Sequence, residues 1–365
     1  MFKKLSTIFL AVSALCSCAQ RPGDSLPTIK YVRQIVAEKN SAEYFIAAGY
    51  DNRNRDADIY ILGEPERVNS MRDLFLRSDS RDNIDGSSSM DDLPDFAGET
   101  FACIPDSANA PYSAMLGKGK GKEDAFCEFT VRECLAAIDT VCSMSEFDTE
   151  RLGRKRTSKM IVLTSPESAA YGEHDIDTLG ILMGKNFNVV SCLGTATERA
   201  FRTCRGPLRI GYITRPENNA SEACKDVFLR FVYKFGRKNA DCFVFAPDST
   251  GGDVFRNFMD SYIRASKSAP LSVIIVDDPD LDVNAMHSSY DYLTSIMNSE
   301  SLTYSKYISE SFDIIDAEEI TVSTCYDILR KQNLFTHNIT MPKAINYLAS
   351  KEAGKLIMDR KYVQE

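Results

Sequence analysis

Short apolar runs alternating with helix-length amphipathic segments predict an α/β protein with two Rossmann-like domains. Each domain is expected to hold a roughly four-stranded parallel sheet, with a cleft between the two. Three observations carry this fold class. The runs are short, rich in Val, Ile and Phe, and continuous rather than alternating, as strands buried on both faces are. Most segments between them place apolar residues three and four apart. Two chain breakers, Gly206 and Pro207, divide eight such runs into four and four.

The elements follow in order. Residues 19–27 (AQRPGDSLP) read as a short tether, and a helical pattern then runs from Ile29 to about Ala48. Strands are expected at DIYILG (58–63), TFACIP (100–105), KMIVLTS (159–165) and NVVSCL (188–193). After the break at Arg205-Gly206-Pro207 come LRIGYIT (208–214), CFVFAP (242–247), SVIIVDD (272–278) and FDIIDA (312–317). Amphipathic helices are expected at FCEFTVRECLAAIDTVCSM, EACKDVFLRFVYKFGRKN and TVSTCYDILRKQN. Residues 78–99 are polar, acidic and punctuated by Gly and Pro, which predicts a long loop over the rim of the first domain. KGKGK (118–122) reads as a solvated loop, because the GxxxxGK[ST] phosphate-loop pattern is absent. The expected division is 1–17 signal peptide, 18–27 tether, 28–205 first domain and 206–365 second domain.

Composition limits the function classes. The chain is 44% hydrophobic and 26% charged, as globular proteins are, and its formal charge is −9 with no basic block. Nucleic acid is therefore not an expected partner, since its phosphates require a positive footprint. The first residues, MFKKLSTIFLAVSALCSCAQ, order two lysines, a short apolar stretch and small residues before Cys18. This resembles the lipobox of bacterial lipoproteins. It implies an acyl-anchored chain (palmitate on Cys18) at a bacterial membrane, facing the periplasm or exterior. An ordinary cleaved signal is the alternative. Nine cysteines remain after Cys18, an odd number with no CxxC spacing, so neither a disulfide framework nor a zinc site is expected. No cofactor motif is present, and no cofactor, metal or catalytic residue is assigned.

In open parallel sheets ligands gather beyond the carboxyl ends of the strands. Those ends supply the candidate binding residues Asp106, Thr164, Ser165, Glu167, Thr214, Asp248, Ser249, Asp277 and Asp278. Small hydroxyls and carboxylates beside helix N-termini suit a small polar molecule. The same residue types are also the favoured N-caps. The stretch Asp277-Asp278-Pro279-Asp280-Leu281-Asp282 lacks EF-hand spacing and reads as a capped loop. His174, His287 and His337 are read as surface or capping residues, and no GxSxG elbow surrounds Ser165.

The segment NVVSCLGTATERAFRTCRGPLRIGYITR (188–215) looks like the domain junction of aspartate/glutamate racemases. That family carries one cysteine at a strand end in each domain, and the pair moves the α-proton from opposite faces. The matching positions here lie near Ser165 and near Asp277-Asp278, where no thiol stands. The chain also looks like bacterial envelope lipoproteins through SPESAAYG, FAPDS and NLFTHN. The favoured expectation is a lipid-anchored protein binding a small polar solute in the interdomain cleft. A racemase-like or Ser165-dependent hydrolytic enzyme is one alternative. A structural or interaction lipoprotein with a vestigial cleft is the other.

Overall fold

The computed structural model describes residues 27–359, apart from 84–85, 117–119, 217–219, 248–251, 266–268, 296 and 337. Cys18, Asp248, Ser249 and His337 lie outside the described residues. The first helical stretch is two helices, α1 (Lys30–Ala37) and α2 (Ala42–Gly49). They part where the Ser41 hydroxyl accepts the Tyr44 N–H and caps α2, an interruption the apolar periodicity did not reveal.

The chain then lays down β1 (Asp58–Gly63), α3 (Pro65–Arg77), β2 (Thr100–Pro105), α4 (Tyr112–Leu116) and α5 (Lys120–Ile138). Lys120-Gly121-Lys122, expected in a loop, belong to α5. A two-stranded ribbon, β3 (Val141–Cys142) with β4 (Gly153–Arg154), precedes β5 (Ser158–Leu163), α6 (Pro166–Ala170) and α7 (Glu173–Met183). Next come β6 (Val189–Ser191) and α8 (Cys192–Thr203), so Cys192 and Leu193 start a helix and do not end a strand.

A separate sheet begins with β7 (Arg209–Thr214), α9 (Ala220–Phe235), β8 (Asp241–Phe245) and α10 (Val254–Arg264). It continues through β9 (Leu271–Asp277), α11 (Val283–Thr294), α12 (Ser301–Tyr304), β10 (Ile308–Asp316) and α13 (Ala317–Gln332). The chain then crosses back and adds β11 (Lys343–Ala349) and β12 (Leu356–Met358) to the first sheet.

The two sheets have orders β12-β11-β2-β1-β5-β6 and β10-β9-β7-β8. Every pairing is parallel except β11 with β12. The first sheet is thus six-stranded, not four-stranded, and its edge is built from residues assigned by sequence to the second domain. KAINYLA is half exposed and carries a lysine and an asparagine, so it lacks the continuous apolar signature of the inner strands.

Both faces of each sheet are apolar for different reasons. On β1, Ile59 and Ile61 face the inner core, while Tyr60 and Leu62 pack against the α1, α2, α5 and α7 side. The inner core is continuous from Phe101 and Val162 of the first sheet to Tyr212 and Ile275 of the second. Met71 of α3, Ala196 of α8, Val227 of α9 and Leu329 of α13 fill the space between. An open cleft along the whole domain boundary is therefore absent; most of that space is packed hydrocarbon.

Candidate functional site

The strand orders contain two topological switch points. In the first sheet the chain runs from β1 to β2 on one side, then to β5 on the other, so the switch lies between β1 and β5. In the second sheet the same reversal lies between β7 and β9. The carboxyl ends at these points are Gly63-Glu64 with Thr164-Ser165, and Thr214-Arg215 with Asp277-Asp278. Thr214 and Asp277 are direct partners in the β7–β9 register.

Arg67 joins the two switch points. It sits in the first turn of α3, 2% exposed, because PERVNSMRDLF turns Arg67, Val68, Met71 and Phe75 onto the buried face of the helix. Its Nη2 donates to the Asp277 carbonyl at 3.0 Å, and Nη1 lies 3.4 Å from Asp277 Oδ1. Burial pushes the Asp277 carboxyl up to about 6, with the Arg67 charge opposing that shift. Burial likewise raises Glu167 to about 7 and Glu318 to about 7, again against the pull of Arg67. The Ser70 hydroxyl donates to Glu318 Oε2 at 2.6 Å, a second tie between α3 and the second sheet's side.

This cluster is not fully satisfied. Arg67 Nε, Glu167 Oε2, Thr214 Oγ1, Asp277 Oδ2 and Glu318 Oε1 are buried without a hydrogen-bond partner. Unpaired buried polar atoms are costly, and their gathering at one place marks a functional or hydrated site. Beside it opens a cleft of about 250 Å³ between Ser70, Leu74 and Arg77 of α3 and the strand ends that carry Asp278, Asp316 and Glu318.

The structure divides the residues singled out by sequence. Glu167, Thr214 and Asp277 converge on the Arg67 cluster. Thr164 and Ser165 turn away from it: the Thr164 hydroxyl donates to the Leu62 carbonyl at 3.1 Å, and Ser165 Oγ accepts the Glu64 N–H at 3.4 Å. Ser165 precedes α6 without capping it. Asp106 builds its own turn, accepting the Asn109 N–H at 3.0 Å and the Tyr112 hydroxyl at 3.1 Å. Asp278 is held by Arg215 Nε at 3.2 Å and lines the cleft. Asp282 caps α11, in keeping with a capped loop.

Sequence reasoning missed Arg67, Ser70 and Glu318. Arg67 lies four residues before Met71 and eight before Phe75, a placement on the apolar stripe that was legible. Glu318 follows the strand end at Asp316 by two residues, in the first turn of a helix, and only the tertiary fold brings it opposite α3. The two thiols that feel the charges of Arg67 and Asp277 are Cys192 and Cys224. Both are buried, and burial holds both well above the ordinary thiol range, so neither is a thiolate at neutral pH. None of the nine cysteines of the described residues is in a disulfide.

No protein-family model matches the chain, and no curated protein matches it in sequence. Among solved structures it is similar to the glutamate racemase of Francisella tularensis in complex with D-glutamate, at 11% identity and a TM-score of 0.49, covering 80% of this chain and 88% of that one. A glutamate racemase isoform of Bacillus anthracis gives 13% identity and a TM-score of 0.48 over 82% and 91% of the two chains. The glutamate racemase of Thermus thermophilus gives 14% and 0.46 over 82% and 90%. These are weak resemblances of fold, and no role for any residue is transferred from them.

Proposed function

We propose that the protein binds a small polar solute in the cleft of about 250 Å³ between α3 and the carboxyl ends of β9 and β10, beside the Arg67 cluster. The observation that carries this reading is the set of five buried, unpartnered polar atoms around Arg67, on groups from both sides of the boundary. Arg67, Asp277 and Glu167 lie buried behind this cleft and do not line it. Asp278, Asp316 and Glu318 form the polar wall. A bound solute displaces the water that such groups otherwise hold. Thr164, Ser165 and Asp106 shape the surrounding turns without reaching the solute. Native mass spectrometry of freshly purified protein tests the reading: a retained small molecule, lost in Arg67→Met, supports it. A protein that retains nothing and gives no thermal shift with any of a broad metabolite panel refutes it.

The same proposal keeps the chain lipid-anchored through Cys18, on the charged, apolar and small-residue order of residues 3–18. Among the described residues no helix is long and apolar enough to cross a membrane. Cys18→Ser is expected to move the protein from the membrane fraction to the soluble fraction; retention in the membrane overturns the anchor.

One observation favours an enzymatic second reading. Glu167 and Asp277 are raised by burial to about 7 and about 6, the range in which a carboxyl can both take and give a proton. In a racemase-like reaction they would stand in for the two thiols, Glu167 from the first turn of α6 and Asp277 from the end of β9. Exchange of the α-proton of amino acids with D2O, followed by proton NMR, decides it. No exchange above the uncatalysed rate leaves binding alone.

A further inference from the structure

Five carboxylates line the cleft: Asp278, Asp282, Asp316, Glu318 and Glu319. Facing them are one guanidinium, Arg77 of α3, and one imidazole, His287 of α11. Asp278 is matched by Arg215 from outside the cleft. Behind the cleft, Arg67 answers Asp277, with Glu167 close by. The balance of charge open to a ligand is therefore negative.

The helix N-termini at this opening are capped by carboxylates. Asp282 accepts the Ala285 N–H at the start of α11, and Asp316 accepts the Glu318 and Glu319 N–H groups at the start of α13. These are the positions that would otherwise hold an anion. An incoming carboxylate or phosphate meets like charge there, with three of the first-turn N–H groups already bonded.

Of the buried acceptors without a partner, one belongs to the cleft's lining. Glu318, 9% exposed, contributes to the lining, and its Oε1 has no partner while Oε2 holds the Ser70 hydroxyl. A buried carboxylate oxygen without a donor is the complement of a charged N–H group. The cleft holds roughly eight water-sized groups by volume, enough for an amine on a short carbon skeleton.

Resting on the solute-binding reading, we propose that the solute is an organic cation, an ammonium on a small aliphatic frame, and that Glu318 Oε1 is its acceptor. Binding draws Glu318 into its charged form. The carboxyl, raised to about 7 by burial, then releases a proton as the cation enters. Affinity falls as pH falls through that value, because the cation must compete with the proton. Glu319, which senses Arg77 and His287, and the deeper Asp277 and Glu167 add to this dependence.

Isothermal titration of the full chain with 1,4-diaminobutane, glucose and acetate tests this. The expected result is binding of diaminobutane alone, weaker by about tenfold at pH 6 than at pH 8. Titration in buffers of different ionisation enthalpy should show proton release near pH 7. Glu318→Gln should weaken binding at least tenfold. Glu319→Gln, at a more exposed carboxylate, should weaken it about two- to threefold while folding normally. Glu222→Gln, remote on α9, should change nothing. Undiminished binding by a folded Glu318→Gln overturns the assignment, as does equal loss in Glu222→Gln. Binding of glucose or acetate without diaminobutane removes the cation and keeps the cleft. Silence of all three counts against the cleft as well.

Discussion

At the scale of single residues the boundary between the sheets is governed by Arg67. Its guanidinium lies against Asp277 with Glu167 and Glu318 close by, and all three carboxyls are raised by burial. Arg67→Met keeps the volume and removes the charge. We expect a loss of about 3–5 kcal/mol at pH 8, the cost of stranding buried charge. The loss should shrink at pH 5, where the three carboxyls take up protons; urea unfolding at both pH values measures it. Glu167→Gln gives the opposite sign. The folded carboxyl holds its proton up to about 7, whereas the unfolded chain releases it near 4.5, so stability present below 4.5 is lost as pH rises through 7. The variant should match the parent near pH 4 and exceed it by about 1–3 kcal/mol at pH 8. Ser165→Ala removes only the acceptor of the Glu64 N–H and should cost about 1 kcal/mol of stability, leaving solute binding intact. Ser165 is buried, so a fluorophosphonate probe is expected to leave it unlabelled. The sequence pointed to Glu167, Thr214 and Asp277 because strand ends are readable from apolar runs. It could not separate them from Asp106 or Ser165, because a hydroxyl that caps, one that braces a turn and one that meets a ligand look alike in sequence.

At the scale of elements, the turn after β1 sets where α3 begins and hence where Arg67 points. Gly63 adopts φ of +150°, and a Cβ there would stand 2.1 Å from Thr164 Oγ1. Gly63→Ala should therefore cost about 3 kcal/mol, combining backbone strain with overpacking. Gly121→Ala in α5, with open space around it, should instead stabilise by about 0.5–1 kcal/mol. Thermal melts of the two variants check both signs. Inner strands were legible because β1, β5 and β9 are buried along their whole length. The strands that escaped were β3, β4, β11 and β12, which are two or three residues long or half exposed at an edge. Length and periodicity carry little information there, and pairing with a distant partner decides the structure.

At the scale of the whole molecule, the two sheets share one core and are joined by two covalent crossings, after α8 and after α13. The chain changes sheets just after the Gly206-Pro207 breakers, but no such signal marks its return to the first sheet. β11 pairs with β2 from Lys343 against Thr100 to Asn346 against Cys103, and Tyr347 stacks on Tyr60 at 6.1 Å between ring centroids. Removing residues 343–365 bares the edge of β2 and one face of Tyr60. The shortened protein should lose its cooperative thermal transition and elute as aggregate on size exclusion. Retention of a single sharp melt would refute this. The position of β11 also bears on the order of events during synthesis. At roughly 5–20 residues per second, the partner of β2 leaves the ribosome some ten seconds or more after β2 itself. Throughout that interval the second sheet is being completed while the first lies open along one side. A nascent chain so arranged leaves the edge of β2 open to pairing with other chains until β11 has emerged.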